Sequence, residues 1–221
     1  MVNMVANVVV EPKVLDELYQ TVPRRKVGIL GGTFNPPHLG HLIIAEQVKN
    51  QLGLEMVMFL PSANPPHKKE KKTIDAKHRI AMIRESIKDN EGFSIEEIEI
   101  QRGGKSYTYD TIVQLKEMNP DIEFYFIIGA DMVEDLKNWY KIDDLMQIIQ
   151  FVAVNRPYHS LDTSYPVITV DVPNIDISSS SIRQKVMDDC SIKYLVPPKV
   201  EKYIESEGLY KNEKNSDGLS E

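Results

Sequence analysis

The sequence predicts an α/β fold, a doubly wound and mostly parallel sheet with helices on both faces. Buried-type strands and amphipathic helices alternate along the chain, which is the pattern of parallel strands joined by crossover helices. Right-handed crossovers then wind the sheet in both directions. The length of 221 residues and the 42% of hydrophobic residues suit one such domain with its own core.

The first half of the chain predicts three strands and two helices. Lys26–Leu30 is a continuous apolar run of the kind that parallel sheets bury, and Leu39–Gln51 repeats apolar residues at helical spacing. Glu55–Leu60 is a second strand, stopped by a proline. Ala76–Ile87 carries an apolar stripe at 76, 80, 83 and 87, so we expect a helix with these isoleucines in the core. Phe93–Ile100 alternates in part and predicts a third strand.

The second half continues the alternation. Glu123–Ile128 is the most β-prone run of the chain. A helical C-terminal part begins at about Ser179, and Gly208 can cap its last helix. The remaining predicted elements are helices over Tyr109–Met118 and Asp143–Ile149 and strands over Phe151–Asn155 and Val167–Val170.

The two ends of the chain lack this periodicity. Residues 1–25 are predicted to be an N-terminal extension, either a surface helix or a partly ordered arm, whose role stays open. Residues 26–210 form the predicted domain. The polar residues 211–221 are expected to be a disordered tail.

Composition excludes several function classes. With 26 Lys and Arg against 33 Asp and Glu, the net charge of −7 gives no basic surface for nucleic acid. The single cysteine, Cys190, can form no internal disulfide and lacks the partners of a zinc site. No apolar run approaches the roughly 20 residues of a membrane span, and the first residues do not have the pattern of a signal peptide. We therefore expect a cytoplasmic protein without nucleic-acid or membrane partners.

The stretch Gly28–His41, GILGGTFNPPHLGH, joins a predicted buried strand to a predicted helix. Gly31 and Gly32 leave the backbone at the strand end open to a ligand, and two prolines suit the entry into a helix. The first turn of a helix offers N–H groups and the positive end of its dipole to an anion. His38 and His41 are three residues apart and project from one face of that turn. This stretch predicts a phosphate site.

Other interpretations of the stretch are possible in principle. It contains neither the G-x-x-x-x-G-K-[ST] of a P-loop nor G-x-G-x-x-G after a strand. A zinc site is disfavoured because no third histidine or carboxylate stands at a matching spacing near His38 and His41. The structural alternative is a tight glycine turn followed by histidines that only cap a helix, which an isolated His-x-x-His would favour.

A second stretch, Ile177–Arg183 (ISSSSIR), can complete the site. Serines at a helix start cap free N–H groups, and Arg183 can direct a bidentate guanidinium at phosphate oxygens. A serine-capped helix with an exposed arginine is common. The stretch therefore supports a phosphate site only as the partner of the first one.

These two stretches resemble the (T/H)xGH and ISSTxIR signatures of the nucleotidyltransferase superfamily, which implies a Rossmann-like fold. Three further pieces, PSANPPHKK at 61–69, KSYTYDT at 105–111 and IIGADM…NWYK at 127–141, resemble the bacterial nicotinate-mononucleotide adenylyltransferases. The resemblance extends from about Lys26 to Tyr210. This chain departs from the family at Asn35, where Asp is frequent, and at Ser180, where Thr is frequent. Asn35 keeps a turn-forming side chain and Ser180 keeps the hydroxyl.

The resemblance implies transfer of AMP from ATP to the 5′-phosphate of nicotinate mononucleotide, which gives deamido-NAD and pyrophosphate. The residue chemistry agrees, because a phosphate nucleophile is already anionic and needs no general base. Catalysis is then positioning together with electrostatic stabilisation. We expect Mg²⁺ to bridge oxygens of the ATP phosphates, with no metal held by the protein alone.

The resemblance also assigns residues to the ATP side of the site. The predicted catalytic residues are His38 and His41, which donate to the ATP phosphates with His41 nearest the reacting one, and Arg183. Arg183 and Ser179 are expected to hold the β- and γ-phosphates, and Asp131 is expected near the ribose. Arg156 flanks the adenosine in this prediction and is otherwise a surface arginine. The other predicted ATP contacts are Gly31, Gly32, Thr33, Phe34, Gly129 and Ser180.

The acceptor side is assigned mainly from the resemblance. His67 and Lys68 are expected to contact the phosphate of the mononucleotide. Thr108, Trp139 and Tyr140 are expected to stack on the pyridine ring and to receive its carboxylate through backbone N–H groups. Ordinary half-buried packing of the only tryptophan is the alternative.

Rival functions stay open at this point. Phosphopantetheine adenylyltransferase shares the chemistry, but such chains are usually shorter and lack the NWYK loop. The motifs favour nicotinate over nicotinamide mononucleotide without deciding between them. A non-catalytic nucleotide sensor is disfavoured because His41 and Arg183 are both present, and an RNA-binding relative is disfavoured by the net charge. A homodimer is left open. His78, His159 and Cys190 have no motif context and receive no role.

Overall fold

The computed structural model describes residues 24–63, 73–154 and 163–211. In these residues six strands form one fully parallel sheet, in the order β3-β2-β1-β4-β5-β6. The strands are β1 (Arg25–Gly32), β2 (Met56–Pro61), β3 (Phe93–Ile95), β4 (Ile122–Gly129), β5 (Gln150–Val154) and β6 (Val167–Val170). The helices are α1 (Leu39–Leu52), α2 (Ala76–Ile87), α3 (Ile98–Arg102), α4 (Thr108–Met118), α5 (Ala130–Val133), α6 (Ile142–Ile148), α7 (Ser179–Met187) and α8 (Pro198–Ser206), with a 3₁₀ turn at Leu136–Asn138.

The central strands are apolar on both faces because helices cover both sides of the sheet. Side chains alternate along β4, so that Phe124 and Phe126 pack into one core while Tyr125 and Ile127 pack into the other. This double burial explains why β4 is a continuous apolar run rather than an alternating one. It confirms the predicted doubly wound α/β fold.

The sheet changes direction between β1 and β4. From β1 the chain continues to β2 and β3 on one side, and from β4 it continues to β5 and β6 on the other. The two strands pair directly, with Leu30 opposite Ile127. Because ligands of such sheets bind where the order reverses, at the carboxyl ends of the strands, the residues after β1 and β4 are the first place to look for a site.

A third core joins the C-terminal helices to the domain. Met82 of α2 packs with Ile182 of α7 and with Val200 and Ile204 of α8. Gly208 follows the end of α8 and has a φ of +60°, and the N–H of Leu209 donates to the carbonyl of Ile204. This left-handed helix end is the predicted Gly208 cap.

Two predictions along the chain were wrong. The strand predicted over Phe93–Ile100 ends at Ile95, and the short helix α3 follows it. The carboxylate of Glu96 accepts from the N–H of Ile98, which starts the new element. Ile80, predicted in the core, is half-buried, because the buried face of α2 consists of Arg79, Met82, Ile83 and Ile87.

The other predicted helices and strands agree with the structure to within two residues, apart from Asn155, which lies outside the described residues. Residues 1–23 and 212–221 also lie outside them, so the division of the chain into extension, domain and tail stays a prediction. Among the described residues, no helix is both long and apolar enough to cross a membrane.

Candidate active site

The segment between β1 and α1 lies at the point where the sheet order reverses. Phe34 has a φ of +50°, and the Asn35–Pro36 peptide bond is cis. Phe34 is 1% exposed, and its ring contacts the rings of Phe59 and His41. The whole residue is therefore covered in this structure, and its contact with ATP stays a prediction.

The two motif histidines lie against each other at the start of α1. The ring centroids of His38 and His41 are 3.7 Å apart, with 30° between the ring planes. His38 is the N-cap residue, and its backbone N–H donates to Nδ1 of His41 at 3.1 Å. Because Nδ1 of His41 is an acceptor, the neutral ring carries its proton on Nε2. The structure thus brings the predicted pair together and makes His41 Nε2–H a donor.

The glycines at the end of β1 are required by packing on the core side. A Cβ on Gly31 would lie 3.1 Å from the ring of Phe126, and one on Gly32 would lie 3.0 Å from the ring of Phe34. Gly31 is exposed on its other side, where its main chain is accessible. The sequence predicts glycine here because a ligand can approach the backbone. The structure adds a second reason, which is that a side chain at either position would press on a buried phenylalanine ring.

The second motif braces the first. Ser178 caps α7 by accepting from the N–H of Ser181 at 3.1 Å. Ser179 Oγ donates to the carbonyl of Pro36 at 2.8 Å, and Arg183 Nη1 donates to the carbonyl of Asn35 at 2.7 Å. Two stretches far apart in the chain therefore form one structural unit, as the sequence analysis expected.

Ser180 supports Arg183 within the same helix. Its hydroxyl accepts from Nη2 of Arg183 at 3.2 Å. This contact gives Ser180 a place in the site through Arg183. The contact uses the hydroxyl that serine shares with the threonine frequent at this position in the family.

Two residues at the site, Tyr210 and Arg79, are not among those predicted from the sequence. The hydroxyl of Tyr210 donates to Oδ1 of Asn35 at 2.8 Å, and burial raises the pKa of Tyr210, so that the hydroxyl keeps its proton. Nη1 of Arg79 donates to the carbonyl of Thr33 at 2.9 Å. A signal for Arg79 was present, because it is three and four residues from Met82 and Ile83 and therefore on their buried face. No pattern near Tyr210 points to Asn35.

The end of β4 adds the next part of the site. Gly129 is the N-cap of α5, and Asp131 lies exposed in the first turn of that helix. Since β4 pairs with β1, these residues lie at the same edge of the sheet as Gly31. Arg156, His67 and Lys68 lie outside the described residues, and their roles stay predictions.

The predicted acceptor residues divide into a packed and an exposed aromatic group. Trp139 is half-buried and packs edge-on against Phe126 and Phe151, with centroid distances of 6.0 and 5.8 Å. Tyr140 is 45% exposed, and its ring lies 4.8 Å from that of Tyr107. Trp139 therefore packs against the core, as in the alternative interpretation, and its contact with the pyridine ring stays a prediction.

Thr108 lies beside the exposed group. It is the first residue of α4, directly after Tyr107, and it is half-buried. The structure thus brings Thr108 and Tyr140 together through Tyr107, and the ammonium of Lys141 lies 5.4 Å from the ring centroid of Tyr140. An aromatic surface with a cation beside it suits a flat, negatively charged ring.

The polar groups of the site suit phosphate rather than a bare metal ion. Imidazole and guanidinium N–H groups donate to phosphate oxygens, whereas Mg²⁺ prefers oxygen ligands such as carboxylates. In the described part of the chain, no group of three or more His, Cys, Asp or Glu side chains is arranged so that it could hold a metal ion. Magnesium stays a prediction.

Comparison with known proteins agrees with this geometry. A family model described as cytidylyltransferase-like matches residues 29–185. A relative from Enterococcus faecalis, named "Probable nicotinate-nucleotide adenylyltransferase", is 54% identical over 190 residues, which are 86% of this chain and 87% of the relative. A relative of the same name from Lactiplantibacillus plantarum is 54% identical over 198 residues, which are 90% of this chain and 94% of the relative.

The chain belongs to the nicotinate-nucleotide adenylyltransferases of the cytidylyltransferase-like family. Solved structures share its fold. Plasmodium falciparum nicotinic acid mononucleotide adenylyltransferase in complex with NaAD is 22% identical, with a TM-score of 0.72, and the match covers 84% of this chain and 97% of that one. Its complex with APC is 21% identical, with a TM-score of 0.71 and the same coverage. The family inferred from the motifs is confirmed, as is the nucleotidyltransferase fold.

Proposed function

We propose that this nicotinate-nucleotide adenylyltransferase transfers AMP from ATP to nicotinate mononucleotide and so forms deamido-NAD in NAD biosynthesis. The names of its 54% identical relatives support this function. The observation that carries it is the stacked pair of His38 and His41 at the start of α1, beside the carboxyl end of β1. Two imidazoles at a helix N-terminus, where backbone N–H groups are also available, suit an anion such as the polyphosphate of ATP.

The reaction requires one displacement at phosphorus. An oxygen of the 5′-phosphate of the mononucleotide bonds to the α-phosphorus of ATP. The bond from that phosphorus to the oxygen it shares with the β-phosphate breaks, and pyrophosphate leaves with the electron pair. The nucleophile is already an anion, so that no proton has to be removed. The enzyme must instead bring two anions together and stabilise charge on the α-phosphate and on the leaving group.

The site residues supply these two effects. In this mechanism Nε2–H of His41 donates to an oxygen of the α-phosphate. The bond from the His38 N–H to Nδ1 supports this role, because it leaves the proton of the neutral ring on Nε2. Arg183 is half-buried, and its two Nη atoms bond Asn35 O and Ser180 Oγ. In this mechanism its guanidinium holds the β- and γ-phosphates. Mg²⁺ neutralises part of the charge of ATP when it is bound, with phosphate oxygens as its main ligands.

Measurement of pyrophosphate release tests the function. ATP and Mg²⁺ are combined with nicotinate mononucleotide, nicotinamide mononucleotide or phosphopantetheine in parallel reactions. Release with the first acceptor alone, or much faster than with the others, is the expected result. Release only with phosphopantetheine would retain the ATP site and overturn the acceptor. No release with any of them, while ATP still binds, would indicate a nucleotide sensor.

Substitution of Trp139 tests the acceptor side. In Trp139→Leu we expect the KM for nicotinate mononucleotide to rise about two- to tenfold while the KM for ATP stays the same, because an aromatic contact contributes about 0.5–1.5 kcal/mol beyond its buried area. Steady-state kinetics with each substrate varied in turn gives both constants. Tyr194→Leu, which alters a tyrosine that is 77% exposed, is the control. A selective rise in the KM for ATP would move Trp139 to the nucleotide side.

The cellular location of the enzyme is also a proposal. A cytoplasmic location fits the single cysteine, Cys190, which is exposed and forms no disulfide. A homodimer and the absence of a nucleic-acid partner stay predictions.

A further inference from the structure

Arg79 is a buried cation beneath the segment that connects β1 to α1. Its side chain comes from α2, and the residue is 3% exposed. Nη1 donates to the carbonyl of Thr33 and to the carbonyl of Ser62, both at 2.9 Å. Thr33 follows β1 directly and Ser62 follows β2. One guanidinium thus joins the carboxyl ends of two neighbouring strands.

The charge of Arg79 is only partly compensated inside the protein. Its Nε–H has no acceptor in the described part of the chain, and burial lowers the pKa of the guanidinium, although arginine stays charged. Asp75, the carboxylate that favours its charged form, also accepts from the N–H of Lys77 at the start of α2. A buried guanidinium whose N–H groups lack acceptors lowers stability unless hydrogen bonds or opposite charges nearby compensate for it.

The bond to Thr33 also orients a peptide group. In a trans peptide the C=O and the following N–H point to opposite sides. With the carbonyl of Thr33 directed at Arg79, the N–H of Phe34 is directed away from α2. Phe34 as a whole residue is 1% exposed, so the bond from Arg79 fixes this peptide inside the segment that leads to His38.

We propose that Arg79 is a positioning residue for ATP, which holds the Thr33–Phe34 peptide and, through it, the segment that carries His38 and His41 at the phosphate site. This inference rests on the proposed adenylyl transfer. Arg79 acts through the backbone and does not touch the reacting atoms. It is not part of either sequence signature, and together with Arg183 it brings positive charge close to Tyr210.

The test compares two arginines of the same helix. Arg79→Met removes the charge and both hydrogen bonds, whereas Arg84→Met removes an exposed arginine that pairs with Glu97. Calorimetry with a non-hydrolysable ATP analogue is expected to show binding about ten- to a hundredfold weaker in Arg79→Met and unchanged in Arg84→Met. In steady-state kinetics, the KM for ATP should rise while that for nicotinate mononucleotide stays constant.

The outcomes distinguish a role of Arg79 in ATP binding from a role in the stability of the fold alone. Analogue binding as tight as in the wild type, measured well below the melting temperature of Arg79→Met, would overturn the proposal and leave Arg79 a structural residue. If Arg79→Met does not fold, Arg79→Lys decides in the same way. Its single ammonium cannot reproduce the guanidinium fork, so we expect intermediate affinity, and wild-type affinity would again overturn the proposal.

The proposed function fails in a different way. A wild-type protein that binds the analogue but releases no pyrophosphate would overturn the adenylyl transfer, and the calorimetric comparison at Arg79 would still be decisive. A wild-type protein that does not bind the analogue would overturn both.

Discussion

His41→Asn is expected to lower kcat by at least about a hundredfold while the protein stays folded, since removal of one preorganised donor to a transition-state oxyanion typically has an effect of this size. The substitution suits the geometry. Nδ1 of His41 accepts from the His38 backbone at 3.1 Å, and Oδ1 of an asparagine occupies the same branch position and can keep that bond. What asparagine lacks is the donor at Nε2. His41→Ala would also remove the cap, which costs about 0.5–2 kcal/mol.

Pyrophosphate release under saturating substrates measures the effect, and thermal unfolding verifies the fold. His78→Asn is the matched control, because His78 bonds the hydroxyl of Tyr203 between α2 and α8 and lies outside the site. His41→Gln, which restores an N–H at the ε position, should recover part of the rate. Near-normal turnover of His41→Asn would mean that the active-site assignment is wrong.

The part of the site that could be predicted is the part built from local sequence. His38 and His41 share a helix turn, and Ser178 caps the helix that carries Arg183, so that spacing alone indicates their directions. The bonds from Arg79 to Thr33 and from Tyr210 to Asn35 join positions that only the tertiary fold brings together. No local pattern identifies which carbonyl a buried guanidinium will meet.

The fold can likewise be divided into elements that the local sequence predicts and elements that depend on tertiary contacts. Strands β1 and β4 are continuous apolar runs and were predicted to within two residues, because burial on both faces leaves little ambiguity. The strand predicted over Phe93–Ile100 was wrong beyond Ile95. Its apolar residues at 93 and 95 fit a strand, whereas those at 98 and 100 belong to a helix turn. The change occurs at Glu96, where the last sheet bond to Phe59 is followed by a side-chain bond to Ile98. Such competition between neighbours is not visible in a hydrophobic pattern.

Arg183→Met is expected to lower kcat/KM for ATP about a hundredfold, because a charge-assisted donor to the departing phosphates is lost. The loss has two sources, since Arg183 also bonds the carbonyl of Asn35 and steadies the segment before His38. Arg183→Lys keeps the charge and loses the planar fork, so that an intermediate value is expected. Lys185→Met removes an exposed cation from the same helix and should have little effect.

The reverse reaction separates these two sources. If Arg183 holds the leaving group, Arg183→Met must raise the KM for pyrophosphate in the formation of ATP from deamido-NAD, and the KM for deamido-NAD must change much less. If Arg183 acts only by bracing Asn35, both constants and kcat will shift together, because a displaced His41 affects every bound species. A variant with wild-type kinetics in both directions would exclude Arg183 from the phosphate site and leave the positive charge there to Arg79 and the start of α1.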